Sequence, residues 1–149
     1  MKLNILAILT AVLSLGINAC CTKKDCVNSD EIHEIEFYNF SQADLDTIAL
    51  ISYAKNSNFT AAIDSSITQA NKTGDYYTVY TKDKINTTHD YKIKLLSTGK
   101  VFTLTGFEIE KRGCNTCFPY RPESDYYNIL GAYRINGQRQ TGSHIKIYR

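Results

Sequence analysis

After residue 30, apolar and polar residues alternate with a period of two along much of the chain, the spacing of a strand with one buried face. In residues 31–38, EIHEIEFY, Ile35 and Phe37 fall on one side and Glu34, Glu36 and Tyr38 on the other. Residues 47–54, TIALISYA, are apolar on both sides and predict a central strand. A short strand is expected at 59–63, behind the turn residues Asn56, Ser57 and Asn58. The following DSSITQANKTGD is rich in turn formers and predicts a loop, with room for one helical turn. At 76–81, YYTVYT returns to strand with Tyr77 and Val79 inward.

The clearest local signal lies at 90–110. Tyr91, Ile93 and Leu95 alternate with Lys92 and Lys94, Ser97-Thr98-Gly99-Lys100 makes a turn, and VFTLTGFEIE runs back as a hairpin. The return strand is out of phase with itself: Phe102 and Leu104 share one parity, Phe107 and Ile109 the other. One inserted residue reconciles them, which predicts a β-bulge at Thr105-Gly106. KRGCNTCFPYRPESD, holding both prolines, reads as a loop. Tyr127, Ile129, Gly131, Tyr133 and Ile135 then alternate along a long strand, Asn136-Gly137 is a hairpin turn, and HIKIYR closes the chain with Ile145 and Ile147 inward. Six to eight short strands at close intervals define an all-β chain: a single antiparallel β-sandwich, immunoglobulin-like or related.

Composition agrees with strands, with eleven tyrosines, six phenylalanines and a single methionine at the start. The 17 basic and 15 acidic side chains nearly cancel and the basic ones are scattered, so no electrostatic footprint for nucleic acid exists.

The first residues change the picture. Lys2 is a one-charge n-region, residues 3–15 are apolar apart from Asn4, Thr10 and Ser14, and Gly16 ends the run. That is a secretory layout, too short for a permanent membrane span. The junction Ile17-Asn18-Ala19-Cys20 resembles the lipobox of bacterial lipoproteins. The resemblance implies a signal peptide at residues 1–19, cleavage before Cys20, and acylation of that thiol and the new amino terminus with palmitate-like chains. Residues 20–30 would then be a tether, and 31–149 the sandwich domain.

With Cys20 carrying lipid, Cys21, Cys26, Cys114 and Cys117 remain. An even number in an exported chain favours two disulfides in one of three connectivities. A bridge from Cys26 to Cys114 or Cys117 would contribute about 4–5 kcal/mol by closing a loop of roughly ninety residues. The same four thiols could form a zinc site or a thiol-redox pair, although Cys114-x2-Cys117 sits in a loop rather than at a helix start.

The lipobox, the DLDTI stretch, the STGK hairpin, the cysteine loop and the YRING turn together resemble small β-sandwich lipoproteins of the Bacteroidetes type. That group brings no catalytic activity. It implies anchoring to the outer membrane, with the domain periplasmic or surface-exposed. Surface-exported members carry a lysine and two acids after the lipidated cysteine, whereas Lys23-Lys24-Asp25 offers one acid before Cys26.

Other chemistry is sparse. His33, His89 and His144 have no partner at metal-ligand spacing, and no local frame orders serine, histidine and aspartate for nucleophilic catalysis. Asp44-x-Asp46 lacks the glycine and glutamate of a calcium loop and reads as the start of a strand. Tyr76, Tyr80, Tyr126 and Tyr148 fall on outward positions where rings could stack on a sugar. The sequence therefore points to a lipid-anchored binding or scaffolding protein of the envelope. Its expected partners are the membrane and an envelope protein or glycan; no catalytic residue, metal ligand or cofactor is expected. A cysteine-based metal or redox module is the alternative.

Overall fold

The computed structural model describes residues 32–81, 83, 85–113 and 126–149. The core of the sandwich belongs to one compact unit, Val27–Lys111 with Asn128–Arg149. All the sequence assignments around Cys20, the tether and the other four cysteines lie outside the described residues.

Among the described residues there are ten strands: β1 (Glu34–Tyr38), β2 (Ile48–Ala54), β3 (Ala62–Thr68), β4 (Asn71–Thr73), β5 (Tyr76–Tyr80), β6 (His89–Leu95), β7 (Val101–Gly113), β8 (Tyr126–Ile135), β9 (Gln138–Thr141) and β10 (Ile145–Tyr148). They form a four-stranded sheet, β10-β1-β5-β4, packed on a six-stranded sheet, β3-β2-β6-β7-β8-β9. The chain is an all-β sandwich. One pair departs from the antiparallel rule: β10 runs parallel to β1, with Ile145 beside Ile35 and Ile147 beside Phe37.

The core follows from the alternation. Ile35, Phe37, Val79, Ile145 and Ile147 from the small sheet meet Ile48, Ile93, Leu95 and Leu104 from the large one, each no more than 1% exposed. Edge-on ring contacts carry the packing further, Phe37 to Phe40 at 5.5 Å and Phe40 to Phe102 at 6.1 Å. Two core tyrosines satisfy their hydroxyls on backbone. Tyr133 accepts the amide hydrogen of Lys146, and Tyr91 accepts that of Asn86, each at 2.7 Å. Burial pushes both phenols up from their ordinary range. The Tyr133 contact also caps a backbone donor of β10, an edge strand whose unpaired groups would otherwise need water or another chain.

In β7 the buried positions change parity as the pattern requires. Phe102 and Leu104 are buried, then Phe107, and between them Gly106 takes φ +61°. A residue with a Cβ would be strained there and would also press on the side chain of Arg134. Ile109, expected inward with Phe107, is instead 39% exposed. The long strand β8 also shifts phase: Leu130 and Ala132 are buried upstream, Tyr133 and Ile135 downstream. The inward place expected for Ile129 thus falls to Leu130. Asn136 and Gly137 take φ 50° and 81°, the two positive values of a type I′ hairpin turn.

The stretch after residue 58 needs correction. Phe59 is part of the turn at φ 60°, and the strand begins at Ala62 and runs through Thr68, where the turn formers predict a loop. Asn71–Thr73 is a strand too, turned into β5 at Gly74-Asp75. Both are edge strands with one neighbour each. Most of β3 faces water, so serine, threonine and aspartate cost it little and no apolar alternation marks it. β4 and β9 bring the total among the described residues to ten, above the expected six to eight.

Candidate functional site: the tyrosine face of the four-stranded sheet

Alternation along β1 sends Ile35 and Phe37 into the core, so Glu34, Glu36 and Tyr38 must lie on the outer side. Register then assembles rows across the sheet. Tyr38 lies between Tyr148 of β10 and Tyr76 of β5, and Glu36 between Lys146 and Thr78. Glu34 pairs with Tyr80. Strands about 4.8 Å apart place neighbouring rings at stacking distance. The Tyr38 ring lies 5.1 Å from Tyr76 and 5.1 Å from Tyr148, with interplanar angles of 27° and 21°. Tyr38 is thus covered on both faces, and the free ring faces belong to the two outer tyrosines. Tyr80 and Tyr148 are 55% and 52% exposed.

The charged row beside the rings is closely joined. Glu36 is only 6% exposed, unusual for a carboxylate on an outer face, and its neighbours explain it. The Tyr38 hydroxyl donates to Glu36 Oε2 at 2.7 Å, Lys146 Nζ is 3.8 Å from the same oxygen, and His144 Nδ1 is 3.1 Å from Oε1. His144 Nδ1 is also 3.6 Å from Glu34 Oε1, and Lys146 Nζ sits 5.6 Å from the centre of the Tyr38 ring. With His144 protonated, two carboxylates face two cations and the cluster balances. The oxygens of Glu34 and Glu36 and the His144 nitrogen lie within 4.8 Å of one another, a donor set of the kind divalent cations accept. Here these atoms are engaged with each other, with Tyr38 and with Lys146. Spacing along the sequence could not show this group, because β1 and β10 meet across most of the domain.

The Glu36 contact pushes the Tyr38 phenol up to about 12; the hydrogen bond is the largest cause, followed by desolvation and the carboxylate's charge. The neutral phenol is the form the fold prefers. This stabilisation is therefore complete below the ordinary tyrosine range near pH 10 and is lost as pH rises through about 12. In Glu36→Gln, Tyr38 is expected to ionise at a lower pH than in the parent, followed by tyrosinate absorbance. A titration curve unchanged by the substitution would remove Glu36 as the cause.

Of the outward tyrosines expected from sequence, Tyr76, Tyr80 and Tyr148 share this face. Tyr126 begins β8, and its side chain lies outside the described residues. Tyr38, at the centre, was legible as outward but not as the hub. Asp44 serves structure. The backbone and hydroxyl of Ser41 donate to its Oδ2 at 2.9 and 2.8 Å, and Arg149 approaches at 3.4 Å. The Ser41 hydrogen bonds, with Arg149 adding less, hold its carboxyl below the usual range.

A cleft of about 310 Å³ opens beside β3, lined by Ser52, Asp64, Ser66, Asp83, His89 and Tyr91 among others. It gathers serine, histidine and aspartate without linking them. Ser52 donates its hydroxyl to the Asp64 backbone carbonyl at 3.4 Å, and the contact of His89 is a ring contact with Tyr91 at 6.5 Å. Among the described residues, no hydrogen bond joins His89 to a serine or a carboxylate there.

Compared with protein-family models, curated proteins and solved structures, the chain matches none of them.

Proposed function

We propose that this chain is a lipid-anchored binding module of the bacterial outer membrane, acylated at Cys20 and held by residues 20–30, whose sandwich presents the tyrosine face to an envelope glycan. The anchor rests on the lipobox-like junction Ile17-Asn18-Ala19-Cys20. The binding role rests on one observation, the registered Tyr148–Tyr38–Tyr76 row with its charged flank. Such a row suits a saccharide. Ring faces take the apolar side of a sugar, and the nearby Glu34, His144 and Lys146 can exchange hydrogen bonds with its hydroxyls. Because Tyr38 is already stacked on both sides, the rigid array loses little side-chain freedom when a ligand arrives.

The test is a glycan array probed with the exported chain, followed by titration of the best hit. Tyr148→Ala and Tyr76→Ala are each expected to weaken that hit about tenfold, the order of one good ring contact together with the apolar area it buries. Ile67→Ala, exposed on the other sheet, should leave it unchanged. Equal effects from all three, or no saccharide bound above background, would set the glycan reading aside.

A further inference from the structure

The outer side of the six-stranded sheet has a different character. One registered row runs Ile67, Ala49, Lys94, Val101 across β3, β2, β6 and β7; the next runs Ser65, Ile51, Lys92, Thr103. Ile67 is 72% exposed, Val101 46%, and Leu96, just past the end of β6, 52%. Exposed aliphatic side chains gathered on one sheet face, rimmed by polar residues, are the composition of a contact surface.

The charges in these rows have one sign. Lys94 and Lys92 rise between the aliphatic positions, and the Lys92 ammonium lies 4.7 Å from the Phe59 ring centre and 5.4 Å from that of Tyr53. No carboxylate occupies either row among the described residues. Three acids of the same sheet are engaged or turned away. Asp90 is buried and accepts the Asn56 amide hydrogen at 2.9 Å, Asp64 lines the cleft, and Glu108 is paired with Arg139 at 2.6 Å.

Aliphatic groups interleaved with lysines, in rows that hold no acid, match the boundary of a bilayer with anionic headgroups. The apolar groups enter between the lipids, the lysine stems lie along them, and the ammonium groups reach the phosphates. We infer that this face rests on an anionic lipid surface. The inference leans on the proposed function in one respect: a lipid at Cys20 keeps the domain near the bilayer, so a contact that is weak in free solution stays occupied. The face lies on the opposite side of the sandwich from the tyrosine row, so its docking turns the rings away from the membrane toward a ligand. The domain would then hold a defined orientation instead of swinging on its tether.

The chain contains no tryptophan, which makes a single introduced one a clean reporter. The substitutions Ile67→Trp and Val101→Trp place it on the docking face, and Tyr80→Trp places it on the opposite sheet. Each full chain, as the cell exports it, is mixed with vesicles of phosphatidylcholine alone or with abundant phosphatidylglycerol, carrying brominated lipid as quencher. The indole of Ile67→Trp and that of Val101→Trp are expected to be quenched on the anionic vesicles, and that of Tyr80→Trp to stay bright. High salt should reverse the effect, and Lys92→Gln and Lys94→Gln should each weaken it about fivefold. Equal quenching on both faces, equal quenching on uncharged vesicles, or no quenching in Ile67→Trp and Val101→Trp overturns the inference. Flotation and intact-mass measurement read the anchor separately. An acylated chain that floats without quenching at these positions overturns the docking and leaves the anchor standing. Quenching in a chain that carries no acyl group does the reverse.

Discussion

Phe37→Ala is expected to cost about 3–5 kcal/mol, the usual penalty for emptying a buried phenylalanine site. On a domain of this size that lowers the melting temperature by roughly 15–30 °C. Phe37 is fully buried in β1, and β1 lies between β10 and β5. Its ring meets Phe40 edge-on, and Phe40 meets Phe102 of the other sheet, so one truncation opens space at the junction of the two layers. The surrounding strands are fixed by their ladders and cannot close on that space. Tyr80→Ala, on the adjacent β5 but 55% exposed, is the contrast and should stay within about 0.5 kcal/mol of the parent. Urea unfolding followed by tyrosine fluorescence and far-ultraviolet circular dichroism measures both. Similar costs for the two variants would mean that the layers are not held together through Phe37.

The layers were legible because period-two alternation is a direct image of a half-buried strand. Ile35 and Phe37, Tyr91, Ile93 and Leu95, and Ile145 and Ile147 all point inward as their spacing requires. Even the parity break at Gly106 could be read, since two runs of opposite phase cannot share one face without an extra residue. Illegible were strands that bury almost nothing. Most of β3 is exposed and β4 has three residues; both exist because β2 and β5 offer hydrogen-bonding edges, a property of the neighbours rather than of their own residues. The displaced phase of β8 has a related cause. Gly131 has no side chain to declare a face, so the change between Leu130 and Tyr133 leaves no mark in the pattern.

For the candidate site, the sequence shows which residues face outward and is silent on which of them meet. Tyr76, Tyr80 and Tyr148 could each be placed on an outer face from their own strand. That Tyr148 stacks on Tyr38, and that His144 reaches both Glu34 and Glu36, depends on the parallel pairing of the last strand with the first. No local signal encodes that pairing. His144 looked like an ordinary exposed histidine, and by exposure it is one, with 53% of its side chain open. What distinguishes it is the company brought to it by the closure of the sandwich.

The largest effect outside the folded domain is expected from Cys20→Ala. Under the lipoprotein reading, the wild type incorporates labelled fatty acid and sediments with membranes, and the variant does neither. Two or more acyl chains hold a protein far more firmly than one, because each buried methylene adds about 0.8 kcal/mol and a single chain binds only reversibly. The membrane-bound fraction should therefore fall at least about tenfold, since the residual contact of the lysine-bearing face is too weak to replace the lipid. Every strand of the described sandwich lies beyond residue 33, so the variant domain should unfold at the same urea concentration and titrate Tyr38 in the same high range as the parent. That separation matters for interpretation. A variant that leaves the membrane while keeping its fold isolates anchoring from stability, and glycan binding in solution should then be unchanged while the fraction of chain recovered with membranes drops. Wild-type chain that takes up no fatty acid, or a variant that sediments with membranes as before, would overturn the lipoprotein reading.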